Sequence, residues 1–212
     1  MDTEVIVNAP VRLLVAGMGD ALATWFEADS VRRTNATNVL GSQASRTANY
    51  LARLCYETIV EYGVIAVKAC EAGCITPALE YIVEANTLLS GIGFESGGLG
   101  APHAIHNGLS ILPQSHHALH GEKVAFGMLA TLFLTGKKPD MITKMYQLYS
   151  QLGLPTSFKD LGMGIVSKEE LLAVGEASCI PGSNIYHENV SVSARKVCDA
   201  LILADYYGKN IK

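Results

Sequence analysis

Apolar side chains recur at spacings of three and four along most of the chain, the spacing that lays one apolar stripe along an α-helix. From Ser42 to Gly73, Ala48, Leu51, Leu54, Cys55, Ile59 and Val60 mark one face of a long helix, with Ser42 placed to cap its start and Gly73 to end it. Thr76-Pro77 sets a capping hydroxyl before a proline at the first helical position. That predicts a helix carrying Leu79, Ile82 and Val83, which ends in glycine. Further helices are expected from about residue 102 and over 119–135, 139–151, 167–177 and 193–207. Ser167-Lys-Glu-Glu170 has the form of a capping box ahead of Leu171 and Leu172. The pattern predicts an all-α fold, a compact bundle of seven to nine helices with short connections. Glu4-Val-Ile-Val7 is the exception: its alternation reads as a short strand near residues 4–7, the stump of a sheet whose other strands are missing.

Composition narrows the class. Apolar residues make up 49% of the 212 positions and charged residues 17%, too hydrophobic a balance for a disordered chain. No repeat, low-complexity tract or charged linker divides it, so one helical domain is expected. The net charge is −4 and no basic cluster exceeds a pair such as Arg32-Arg33, so nucleic acid is not an expected partner. The longest apolar stretch, Val124 to Leu134, is eleven residues, against the ~20 needed to cross a bilayer. Met1-Asp-Thr-Glu4 lacks the basic and apolar regions of a secretory signal, and a cytoplasmic location is expected. Cysteines 55, 70, 74, 179 and 198 match no disulfide framework and read as reduced core thiols.

Five of the six histidines fall between residues 103 and 120. Imidazole is the commonest ligand for transition metals and titrates near neutral pH, so the cluster points to metal binding or acid–base work. His116 and His117 lie on a polar loop and read as surface residues, whereas His103 and His120 each stand at the expected start of an apolar helix and could face a shared cleft. A catalytic zinc typically takes three protein ligands and leaves a position open. Asp20, Glu27, Glu95 and Glu122 are candidate carboxylates for the third. Asp20 stands out within Val11-Arg-Leu-Leu-Val-Ala-Gly-Met-Gly-Asp20-Ala-Leu-Ala-Thr-Trp-Phe, although capping a helix that starts at Ala21 would equally explain it. Gly91-x-Gly93-x-x-Ser96 lacks the third glycine of a dinucleotide cradle and follows no strand, while the five glycines of 91–100 imply a loop or a close approach. No nucleophile elbow or phosphate loop is present.

The series Asp2-x7-Pro10-x4-Val15-x-Gly17-x2-Asp20-Ala-Leu-x4-Glu27 resembles the signature of the iron-containing alcohol dehydrogenases. The segments 93–99 (Gly-Phe-Glu-Ser-Gly-Gly-Leu), 103–109 (His-Ala-Ile-His-Asn-Gly-Leu), 120–124 (His-Gly-Glu-Lys-Val), 54–58 and 153–156 are similar to its glycerol dehydrogenase branch. The resemblance covers essentially the whole chain but only the later part of the family's chain, the helical half that carries the metal. It implies a division into residues 1–10, a remnant of the end of the nucleotide-binding domain, and 11–212, the metal- and substrate-binding domain, with the NAD-binding domain absent.

The resemblance further implies Asp20, His103 and His120 as metal ligands and Phe94 against the substrate. Iron-dependent relatives add a histidine one turn beyond the aspartate, where this chain has Thr24, which favours a three-ligand zinc site. The implied reaction is oxidation of glycerol, or a related small vicinal diol, to the ketone by hydride transfer to NAD. His106, three residues after His103, could relay the proton, stand behind a ligand, or be structural. A homo-oligomer, and a separately supplied NAD-binding half without which the chain is inactive or nearly so, are also implied. The rival expectation is a non-catalytic remnant or assembly module that keeps the fold, and a weaker one is metal storage.

Overall fold

The computed structural model describes residues 1–211. Ten α-helical segments follow one another among them: α1 (Thr3–Val7), α2 (Val11–Thr34), α3 (Arg46–Glu71), α4 (Pro77–Glu84), α5 (Ser90–Gly97), α6 (Ala101–Leu109), α7 (His120–Leu134), α8 (Pro139–Leu152), α9 (Lys168–Ser178) and α10 (Ala194–Asn210). A π-helical turn over Ala85–Leu89 fuses α4 to α5, so the expected glycine stop is passed and the continuous helix runs to Gly97. The only extended pairing among the described residues is an isolated bridge between Thr37 and Gln43.

The strand expected at residues 4–7 is instead the short helix α1. Asp2 accepts from the Glu4 N–H at 3.0 Å, and Asn8 donates to the Glu4 carbonyl at 2.8 Å. A lone strand would leave its backbone groups unpaired, whereas a helical turn satisfies them locally, and Val7 is buried in the core. The long third helix begins at Arg46, because Asn38 folds residues 38–42 into a turn, its side chain accepting from the Leu40 and Ser42 N–H groups. The hydroxyl that caps it belongs to Ser45, accepting from Ala48 N–H at 3.0 Å. The capping box of α9 forms in both directions, Glu170 N–H to Ser167 and Ser167 N–H to Glu170.

Helix α2, 24 residues long, lies against α3, α5 and α7 and is buried over most of its middle. Helix α7 is buried from Val124 to Leu132 and packs on α2, α6 and α10. Met18, Leu22, Ile59, Ile105, Phe126, Met128 and Leu129 are among the fully buried core side chains. Each contributes roughly 1.5–3 kcal/mol relative to exposure. Where α2 meets the first turn of α7 their backbones touch. A Cβ on Gly121 would lie 2.0 Å from the Ala16 carbonyl oxygen, and one on Gly19 would lie 2.9 Å from that of Gly121. Only glycine permits this approach.

All five cysteines are free; Cys55, Cys70 and Cys198 are buried, but Cys74 is exposed on the turn after α3, contrary to the expectation of a core thiol. No helix among the described residues is long and apolar enough to cross a membrane.

Candidate metal centre

Three helices bring one potential donor atom each to a common point. Asp20 sits in the middle of α2, not at the cap of a helix beginning at Ala21, because α2 runs unbroken through Gly17 and Gly19. His103 is the third residue of α6 and His120 the first of α7. The His103 Nε2 lies 3.3 Å from Asp20 Oδ1, and His120 Nε2 lies 3.6 Å from Asp20 Oδ2. One donor atom from each of the three falls within 4.8 Å of the others. The backbone contact of Gly19 with Gly121 sets this spacing, since each glycine is the sequence neighbour of a proposed ligand.

The site is closed behind and open in front. The His103 side chain is 15% exposed and that of His120 52%. Behind His103 its Nδ1 lies 2.9 and 3.0 Å from the two carboxylate oxygens of Glu27, a fully buried side chain. Glu27 was a candidate carboxylate from sequence, but its place behind the histidine was not legible there. The signal was its spacing: seven residues after Asp20 is two helical turns on the same face. Phe94 of α5 lies nearly parallel to the His103 ring, with centroids 6.3 Å apart, and forms one wall. The His106 ring stands 4.2 Å from that of His120 and 6.4 Å from that of His103, and its Nδ1 lies 3.1 Å from Asn107 Oδ1.

The remaining histidines are elsewhere. His116 and His117 are exposed, and His187 donates from Nδ1 to the Leu99 carbonyl at 2.7 Å. Thr24 is buried, and its hydroxyl pairs with that of Ser90 at 3.0 Å. Glu122 serves α7: its carboxylate is clamped by Arg12 of α2 at 2.6 and 2.7 Å and accepts from the Leu119 N–H. Glu95 is not brought to the cluster.

The cluster carries opposed charges. Burial disfavours a charged His103, but Glu27 and Asp20 outweigh it and hold the imidazole up at about 10. Burial also works against the Asp20 carboxylate, yet its contacts with His103 and the nearby imidazoles bring it below the usual range. His106 is lowered to about 4 by burial and by His120 and Lys123. Burial lowers His120 as well. One carboxylate and two imidazoles form a borderline donor set suited to zinc, with room left for water or substrate. A groove of about 510 Å³ between Phe133, Val190, Lys196 and Leu203 has none of these residues in its lining.

No family model matches the chain. It is 54% identical over 209 residues to the glycerol dehydrogenase of Thermotoga maritima, covering 99% of this chain and 57% of that protein. It is 48% identical to the glycerol dehydrogenase of Citrobacter freundii, covering 99% of this chain and 57% of the relative. The solved structure of the Schizosaccharomyces pombe glycerol dehydrogenase superposes with a TM-score of 0.95 at 42% identity, over 98% of this chain and 54% of that one. Over 99% of its own length the chain is similar to glycerol dehydrogenases. It corresponds to a C-terminal portion of them, spanning about 57% of the length of the curated relatives it matches. Its fold is that of the helical C-terminal domain of iron-containing alcohol dehydrogenases, a likeness of fold that persists at 18% identity and a TM-score of 0.67 to the iron-containing alcohol dehydrogenase of Thermococcus thioreducens, over 94% of this chain and 52% of that one.

Proposed function

We propose that this chain is the metal- and substrate-binding half of an NAD-dependent glycerol dehydrogenase, with Asp20, His103 and His120 holding a zinc ion. The observation that carries the reading is the meeting of three donor atoms within 4.8 Å at an open face, on a chain 54% identical to a glycerol dehydrogenase. Zinc bound there supplies Lewis acidity that lowers the pKa of a substrate hydroxyl. In this reading residues 11–212 are the metal- and substrate-binding domain and residues 1–10 a remnant of the end of the nucleotide-binding domain.

Each side chain then has a task. Glu27 fixes the ring of His103, so that Nε2 faces Asp20 and His120. Phe94 presents an apolar ring beside His103, a surface for the carbon chain of glycerol or a similar vicinal diol. His106, beside the half-exposed His120, lies where the hydroxyl proton can pass toward solvent. NAD, with its nicotinamide held within near-attack distance, would accept the hydride from the substrate carbon. The groups that hold it belong to the part of these proteins that this chain does not span. The chain alone is therefore expected to oxidise no glycerol, and activity is expected on joining it to an N-terminal NAD-binding half.

The first test is metal content by plasma mass spectrometry after incubation with zinc and desalting. About one zinc per chain is expected, lost in Asp20→Ala and His103→Ala and kept in His187→Ala. Absence of zinc from the wild type, or equal loss in all three variants, would overturn the assignment.

A further inference from the structure

Helix α6 starts without a cap of its own, since Gly100 has no side chain to accept from the first turn. Two carboxylates from distant parts of the chain fill that role. Glu27 Oε1 accepts from the Gly100 N–H at 2.9 Å and the His103 N–H at 3.2 Å, while Glu188 Oε1 accepts from the Ala101 N–H at 3.0 Å. Pro102, between them, has no N–H to satisfy. Both carboxylates are buried, and they are linked through Ser30, one turn beyond Glu27, whose hydroxyl donates to Glu188 Oε2 at 2.6 Å. A Cβ at residue 100 would lie 2.8 Å from Glu188 Oε1, so that this carboxylate would have to shift, and 3.5 Å from Glu27 Cγ, an ordinary contact.

The two carboxylates differ in one respect. Glu188 holds only backbone and Ser30, whereas Glu27 also holds the His103 ring through Nδ1. We infer that Glu27 is the positioning residue of the metal centre, tying the main chain and the imidazole of His103 to α2, the helix that carries Asp20, while Glu188 completes the cap without touching the site. This rests on the reading that Asp20, His103 and His120 hold the metal. An Nδ1–H held by Glu27 leaves Nε2 with its lone pair free, and a buried carboxylate behind an imidazole makes it a stronger donor. The anion at the helix N-terminus is itself favoured by the macrodipole and by the unpaired N–H groups of the first turn.

The test compares zinc dissociation constants, by competition with a chromophoric chelator, for the wild type, Glu27→Gln, Glu188→Gln and Asp20→Ala. Circular dichroism and thermal melting are recorded on each. Glutamine matches glutamate in shape and can still accept from the helix N–H groups, so both Gln variants are expected to fold. Glu27→Gln is expected to weaken zinc about 10- to 100-fold, while Glu188→Gln stays within about threefold of the wild type. Unchanged affinity in Glu27→Gln would overturn the inference. Equal weakening in both Gln variants would also overturn it, because that marks a cap and no action on the ring. A wild type that binds zinc no better than Asp20→Ala would overturn the metal assignment itself, and the role of Glu27 with it.

Discussion

At the scale of single residues, the cluster is held by buried charge that local sequence does not display. Glu188 shows the cost. Its carboxyl is raised above the usual range, chiefly by burial and also by the Glu27 charge, against the lowering effect of the Ser30 and Ala101 hydrogen bonds. A carboxyl raised in the folded state binds its proton more tightly there than in the unfolded chain. Stability therefore falls as pH rises from the unfolded value of about 4.3 through the folded one. Glu188→Gln removes that penalty while keeping an acceptor for the Ala101 N–H. The variant is expected to be more stable than the wild type to urea at pH 7, with the advantage disappearing below pH 4. An advantage that persists undiminished at low pH would mean that ionisation is not its source.

Between elements, the decisive contact is the crossing of α2 and α7. Gly19 and Gly121 let the two backbones touch, and this carries His120 to within 3.6 Å of Asp20. The bidentate pair of Arg12 with Glu122 pins the same end of α7 to α2 from the outer side. A methyl group at residue 121 would meet the Ala16 carbonyl at 2.0 Å, which the helices can relieve only by moving apart. Gly121→Ala is expected to destabilise the fold by about 1–3 kcal/mol through overpacking, and to weaken zinc binding by displacing His120. A lower urea midpoint and a weaker zinc dissociation constant should appear together. An unchanged midpoint would show that the crossing tolerates the methyl group.

For the whole molecule, the relevant fact is that the chain spans about 57% of the length of relatives such as the Thermotoga maritima glycerol dehydrogenase. Tyr50, Leu54, Tyr81 and Leu88 are all exposed on α3, α4 and the π-turn between α4 and α5. Exposed apolar surface of this kind drives association. The isolated chain is expected to self-associate, giving a mass above 22.6 kDa by light scattering, and a clean monomer across micromolar concentrations would count against this. Homo-oligomer formation by the assembled protein is a separate proposal, to be read from the mass of the reconstituted halves.

The amino-acid sequence by itself determined most of the helices from α3 onward, but not α1 or the unbroken α2. The 3.6-residue period, the Thr76-Pro77 start and the Ser167–Glu170 capping box are local signals that act within one or two turns, and the bundle follows from the apolar faces they create. It also displayed Asp20, His103 and His120 as candidates through their residue types and the motifs around them. Residues 4–7 misled because alternation over four positions is too short to separate a strand from a helical turn, and a turn needs no partner. Tertiary structure alone decided that Asp20 lies inside a continuous helix, that α4 runs on into α5, and that Glu27 and Glu188 cap α6 from 73 and 87 residues away. Those outcomes depend on which backbones can touch and which buried donors lack acceptors. Both are settled only when helices distant in sequence are packed together.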